Sequence, residues 1–156
     1  MLFRSREEAL QLASQGARIV INEIDRPDAI DAAEQTLADI RDAGSEGILV
    51  KGDAGDSSTA NDMFKAAVEH FGDVNIVVSN AGFCRDQTIF NMDDEQFDSV
   101  VRVHLRGHFV MMRNASSYWR GKSKAGEEVY GRLISTASEA AIFGSAGQPN
   151  YAAAKS

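Results

Sequence analysis

The sequence predicts an α/β protein: a parallel sheet with helices packed on both faces. Three observations lead there. Four short apolar runs have strand length, a helix-length amphipathic segment separates each run from the next, and no proline interrupts any of them, the only two being Pro27 and Pro149. No internal repeat, low-complexity tract or linker divides the 156 residues, so one domain is expected at the usual ~100–200 residues per domain.

Taken in order, the chain opens on a helix from Ser5 to Gln15, with Ser5 and Glu8 placed as a capping box. The first strand follows at Arg18–Glu23. Ile30, Ala33, Leu37 and Ile40 then repeat at the spacing of one helix face and stop before Gly44. Gly47–Lys51 is the second strand. Asp56 is a natural N-cap for the next helix, in which Ala60, Met63, Phe64, Ala67 and Phe71 recur up to Gly72.

Asn75–Ser79 is the third strand. A long helix starts at Asp93, capped with Gln96, and carries Phe97, Val100, Val101, His104, His108, Met111 and Ala115 along one stripe. The polar stretch Gly121–Glu128 reads as a solvated loop, its lysines at most meeting a ligand phosphate. Arg132–Ser135 is the fourth strand. All four runs are aliphatic enough to be strands buried on both faces.

Composition excludes several functions. With 44% apolar and 25% charged residues the chain is globular, not disordered. Its net charge of −7 argues against nucleic acid or an anionic membrane as partner. Cys84 is the single cysteine, so no internal disulfide and no cysteine metal cluster can form. The start, Met1 to Arg6, lacks the apolar segment of a signal peptide, and no run approaches a membrane span. The expectation is a cytoplasmic protein that holds no metal.

In an open parallel sheet, ligands bind beyond the carboxyl ends of the strands. Glu23 stands at the first such end, where a carboxylate either accepts from a ribose 2′-hydroxyl or simply occupies a solvated turn. Gly52-Asp53-Ala54-Gly55-Asp56 follows the second strand and Asn80-Ala81-Gly82 the third. Small residues there allow close backbone approach to a flat ligand, though each segment is equally compatible with an ordinary turn.

The sharpest signal follows the fourth strand. Ser138 precedes Tyr151 by 13 residues and Tyr151 precedes Lys155 by four. On a helix, four residues is one turn, roughly 6 Å along the axis. An ammonium at that distance favours the phenolate and eases proton exchange near neutral pH.

With Ser138, Tyr151 and Lys155 downstream of Asn80-Ala81-Gly82 and Asp53, the sequence resembles the short-chain dehydrogenase/reductase family from about Arg6 to Ser156. Val103-His104-Leu105-Arg106-Gly107-His108-Phe109 and Gly147-Gln148-Pro149-Asn150-Tyr151 are most similar to the branch of 3-hydroxyacyl-CoA dehydrogenases and 3-oxoacyl reductases. The resemblance implies a doubly wound, Rossmann-like sheet and hydride transfer between a nicotinamide cofactor and a hydroxyl/carbonyl substrate. Tyr151 would be the acid/base, Lys155 its cationic neighbour and a ribose ligand, and Ser138 the hydrogen-bond donor to the substrate oxygen. Glu23 would favour NAD over NADP, with Asp53 and Ala54 at the adenine and Asn80, Ala81 and Gly82 lining the cofactor trough.

Two departures from the family pattern stand out. His104 occupies the place of a family asparagine, either as a proton relay or as a hydrogen-bonded core histidine. The first strand with its glycine-rich turn and the C-terminal strands are missing, with Phe3-Arg4-Ser5 where the last glycines would be. The expectation is therefore a single partial NAD(P)-binding domain over residues 1–156. Its sheet would have two unpaired inner edges and a catalytic helix too short to stand alone. A non-catalytic fragment of such an enzyme is the alternative. A relative using the same site for epimerisation or dehalogenation is the third reading. Full-length relatives are expected to be homo-oligomers.

Cys84, just after Asn80-Ala81-Gly82, reads as an inert buried thiol at the border of the pocket. His70 falls at a helix end, where a cation is favourable. The Asn114-Ala115-Ser116 sequon sits inside a helix and is discounted.

Overall fold

The computed structural model describes residues 2–156, with side chains from Ser5 onward. The elements are α1 (Leu2–Ser14), β1 (Ile19–Glu23), α2 (Pro27–Asp42), β2 (Gly47–Lys51), α3 (Ser57–Phe71) and β3 (Ile76–Ser79). They continue with α4 (Asp94–Val101), a π-turn (Arg102–Arg106), α5 (Gly107–Lys124), β4 (Arg132–Ser135), α6 (Ala140–Phe143) and α7 (Pro149–Lys155). All four strands fall where the apolar runs placed them, and the architecture is α/β with parallel strands. Two compact units result, one ending at Val74 and one running from Asn75 to Ser156.

In the first unit β1 pairs with β2 in parallel, Ile19 opposite Gly47 and Glu23 opposite Lys51. α2 connects them. Pro27 sits at its first turn, where the missing N–H costs nothing. Ala29, Ala33, Leu37 and Ile40 face inward. Leu37 and Ile40 join Ala13 of α1 in the core, against Leu10, Ile19, Ile21 and Leu49. Gly47 is required by this packing, since a Cβ there would lie 2.6 Å from Leu37 Cδ2. Arg6 ties α1 to α2 through Asp39 at 2.7 Å. α3 buries Thr59, Ala60, Phe64 and Ala67 and ends at Gly72, whose φ of 85° closes the helix with a bond to Val68 O.

In the second unit β3 pairs with β4 in parallel, Ile76 opposite Arg132 and Ser79 opposite Ser135. The capping box at Asp93 forms, with Gln96 N donating to Asp93 Oδ1 at 2.7 Å and Asp93 N to Gln96 Oε1 at 3.1 Å. The short α7 is held by packing against α4, the π-turn and α6.

The structure corrects five expectations. α1 begins at Leu2, so Ser5 lies within it and not at its N-cap. The long helix is not continuous: at 102–106 it widens to a π-turn, in which Gly107 N bonds to Arg102 O. Its stripe is narrower than expected, with Val100, His104, Val110 and Ala115 buried and Phe97 half exposed. α5 continues to Lys124, so only the end of the Gly121–Glu128 stretch is loop. Finally, the strands are not buried on both faces. β1 is half-buried and β4 exposed, because each sheet has two strands and, among the described residues, no third strand flanks it.

The edge of β1 away from β2 and the edge of β3 away from β4 thus have no strand partner among the described residues. The side chains of Phe3 and Arg4, expected at the end of a glycine turn, lie outside the described residues. Among the described residues no helix is long and apolar enough to cross a membrane, and no group of three metal-ligating side chains occurs.

Ile40 is fully buried. Ile40→Ala should lower the unfolding free energy by about 2–5 kcal/mol, read from the urea midpoint at unchanged slope.

Candidate active site

In the first unit the candidate residues lie at the carboxyl ends of β1 and β2. Gly52 N donates to Glu23 O at 2.9 Å, and Asn22 Nδ2 reaches Val50 O and Gly52 O, each at 3.1 Å. These bonds bring the Glu23 turn and the Gly52-Asp53-Ala54 turn to one edge. Glu23 Oε1 accepts from Ile24 N at 2.9 Å, and Asp53 Oδ1 accepts from Gly55 N at 2.7 Å. Gly52 has a φ of 154° and a Cβ there would sit 2.9 Å from Thr59 Cγ2, so only glycine fits. The result is an edge with two carboxylates and no bulky side chain at its turn.

In the second unit the candidate residues gather at the ends of β3 and β4. Because Ser79 lies opposite Ser135, Asn80 and Thr136 leave the sheet side by side. Thr136 N bonds Ser79 O at 3.1 Å, and Thr136 Oγ1 donates to Asn80 Oδ1 at 2.7 Å. Lys155 Nζ donates to Thr136 O at 2.5 Å, which carries the ammonium from α7 to the strand end, two residues before Ser138. Ser138 Oγ accepts from Ala140 N at 3.2 Å. With that lone pair engaged, its O–H remains as the group it offers to another acceptor.

Tyr151 and His104 meet directly. Their ring centroids are 5.0 Å apart at 89°, an edge-to-face contact. His104 is 1% exposed. Its Nε2 lies 3.1 Å from Phe83 N and 2.8 Å from Phe83 O, so either neutral tautomer forms one bond to that backbone. Its Nδ1 finds no partner among the described residues, and neither does His108 Nε2. Gly82 makes room for this ring: a Cβ there would overlap the imidazole and lie 2.6 Å from Nδ1.

Burial holds His104 below the usual histidine range, with the Lys155 charge adding to it and the Phe83 carbonyl opposing. His108 is pushed down to about 4 by burial, then by Lys155 and His104. Both rings are neutral near pH 7. Burial, and then Asp86, raise the Cys84 thiol, which suits the inert reading.

In the first unit Glu23, Asp53 and Ala54 thus share one edge; in the second, Asn80 and Lys155 meet on Thr136 and Tyr151 packs on His104 beside Gly82, while Ala81 and Ser138 are placed by the chain that leaves β3 and β4. Thr136 and Asn150 went unread in the sequence. Thr136 serves through its backbone carbonyl, which no residue type signals. Asn150 stands inside a quoted run, yet its contacts are with backbone distant in sequence.

Taken unit by unit, Glu23 offers a carboxylate acceptor beside a turn that admits only glycine at 52, and in the second unit an ammonium lies at the end of β4 while position 82 admits only glycine; each feature is compatible with part of a nicotinamide dinucleotide. A family model described as short chain dehydrogenase matches residues 5–156, and the chain belongs to that family. Hydroxyacyl-CoA dehydrogenase ChsB1 of Mycobacterium tuberculosis is 48% identical over 153 residues, covering 96% of this chain and 48% of that protein. The peroxisomal hydratase-dehydrogenase-epimerase of Neurospora crassa is 36% identical over 150 residues, covering 96% of this chain and 15% of that protein.

A crystal structure of a short chain dehydrogenase from Mycobacterium avium matches with a TM-score of 0.91 at 42% identity, covering 99% of this chain and 54% of that one. The chain spans about half the length of its mycobacterial relatives.

Two outcomes are expected. Gly82→Ala should destabilise the protein by about 1–3 kcal/mol through overpacking, and most of that should vanish in a His104→Ala background, measured as a double-mutant cycle. His108 is depressed in the folded state, so its neutral form stabilises the fold above its unfolded pKa. That contribution is lost as pH falls from about 6.5 toward about 4. Over that window, the drop in thermal midpoint should be smaller in His108→Gln than in the parent protein.

Proposed function

We propose that this chain carries the proton-transfer site of an oxidoreductase that moves a hydride between a nicotinamide cofactor and a hydroxyl/carbonyl substrate, a 3-hydroxyacyl/3-oxoacyl thioester. The observation that carries the reading is the hydrogen bond from Lys155 to Thr136 O, which places the ammonium beside the strand end that leads to Ser138, with Tyr151 one helical turn before it. In reduction the Tyr151 hydroxyl gives its proton to the substrate oxygen, and in oxidation the same oxygen takes one. The Ser138 O–H donates to the substrate oxygen as negative charge develops there. The Lys155 ammonium stabilises charge left on the phenol oxygen. His104, able to hold its proton on either nitrogen, relays protons behind Tyr151.

A nicotinamide cofactor, when bound, supplies or accepts the hydride. Asn80, Ala81, Gly82, Tyr151 and Lys155 would hold its nicotinamide half. Asp53 and Ala54 would hold the adenine, and the Glu23 carboxylate would accept from a ribose 2′-hydroxyl while repelling a 2′-phosphate, which would select NAD. On this reading both compact units belong to one partial nucleotide-binding domain, and the family match across 5–156 supports that. The thioester is supported by the names of the relatives and by Ile142 and Phe143. These two are 78% and 83% exposed on the turn that Ser138 starts, where an acyl chain would cover them. Leu105, Phe109 and Met112 are exposed at one-turn spacing along the π-turn and α5, which supports pairing with a second copy through that face.

A second reading, that the chain by itself is a non-catalytic portion of such an enzyme, is favoured by one observation: among the described residues each sheet has two strands, fewer than independent stability usually needs. The two readings separate on one preparation. Micromolar NADH binding with turnover of a 3-oxoacyl thioester supports catalysis, and neither supports the fragment. If the chain is active, Tyr151→Phe should lower kcat by about 100-fold or more; turnover that survives the change removes Tyr151 from its role.

A further inference from the structure

The first N–H groups of a helix have no partner within it and are usually satisfied by the N-cap side chain. At α7 this arrangement fails. The N-cap is Gln148, which makes no side-chain cap bond; its amide instead donates to both carboxylate oxygens of Asp86, at 3.0 and 3.1 Å. Pro149 has no N–H to offer. The Tyr151 N–H is satisfied from inside the helix, by Asn150 Oδ1 at 2.7 Å.

Asn150 is 0% exposed, and all of its hydrogen bonds go to backbone. Its Nδ2 donates to Arg85 O at 3.1 Å and to Gln96 O at 2.9 Å. One side chain therefore joins three segments: the loop after β3, the first turn of α4, and the residue that carries the phenol. The same loop holds the other side of Tyr151, since Phe83 binds the His104 ring on which Tyr151 packs. Tyr151 is thereby tied twice to the residues that directly follow Asn80-Ala81-Gly82.

We infer that Asn150 is a positioning residue for Tyr151: its amide fixes the phenol-bearing turn of α7 against the loop after β3 and the start of α4. The inference rests on the Ser138-Tyr151-Lys155 reading for its kinetic consequence, but not for its geometric one. Reactive geometry is sensitive at this scale, a displacement of ~1 Å costing up to ~100-fold in rate. Asn150 touches neither substrate nor cofactor in this scheme, so its loss acts on kcat and spares KM.

The test uses the whole chain, assayed with a 3-oxoacyl thioester and NADH and observed in parallel by NMR with ring-labelled tyrosine. Tyr151 is told from Tyr118 and Tyr130 by the signal that Tyr151→Phe removes. In Asn150→Ala, kcat should fall about tenfold or more with KM within about threefold, and the Tyr151 ring signal alone should move. Asn150→Asp, equal in size and keeping the acceptor for Tyr151 N–H, carries the test if the alanine variant does not fold. It should show the same two changes, weakening at low pH where a protonated acid can donate to one carbonyl.

A folded variant that keeps kcat within about twofold of the parent, or leaves the Tyr151 signal in place, overturns the assignment. If Tyr151→Phe retains turnover, the catalytic reading fails separately, and the ring signal still decides whether Asn150 positions Tyr151.

Discussion

The parallel register of β3 with β4 sets Ser79 opposite Ser135, and the polar groups of the second unit are placed from that pair. One residue further on, Thr136 accepts Lys155 on its carbonyl and donates to Asn80 from its hydroxyl. A slip of one residue would turn both side chains to the opposite face and leave the ammonium of α7 without its anchor. Two strands of four residues are a slender base for this, and the aliphatic side chains of β4 lie exposed. What compensates is the network of backbone hydrogen bonds that loops and helices make around the strand ends.

Around Tyr151 the molecule accepts costs that packing alone would avoid. His104 lies buried with Nδ1 unpartnered among the described residues, and an unsatisfied buried polar atom costs about 1–3 kcal/mol. It occupies a π-turn, an irregular geometry that recurs at functional sites, and it requires glycine at position 82. These features set the His104 ring tightly between Phe83, Gly82 and Tyr151.

The first unit works by smaller means. Glu23 and Asp53 hold their carboxylates through bonds to the next turn, and the edge between them is kept open by a glycine that could carry no side chain. Their placement follows from the β1–β2 register and the fully buried seam of α2. The chemistry at this edge therefore depends on apolar packing on the other side of the strand.

Much of this was legible in the residues themselves. Strand positions, the glycine stops at Gly44 and Gly72, the capping box at Asp93 and the one-turn spacing of Tyr151 and Lys155 follow from periodicity and local backbone preference, which neighbours in sequence determine. The burial of the strands, the break at 102–106 and the end of α5 were not, because each depends on which surfaces meet. The partner of Lys155 is a backbone carbonyl, the room for His104 is an absent side chain, and the grip of Asn150 reaches carbonyls 54 and 65 residues away. Sequence by itself determined which groups this protein has to work with and the order in which they come. Only the tertiary structure decided which of them meet, because a hydrogen bond between distant residues is set by how packed elements converge, and nothing local records that convergence.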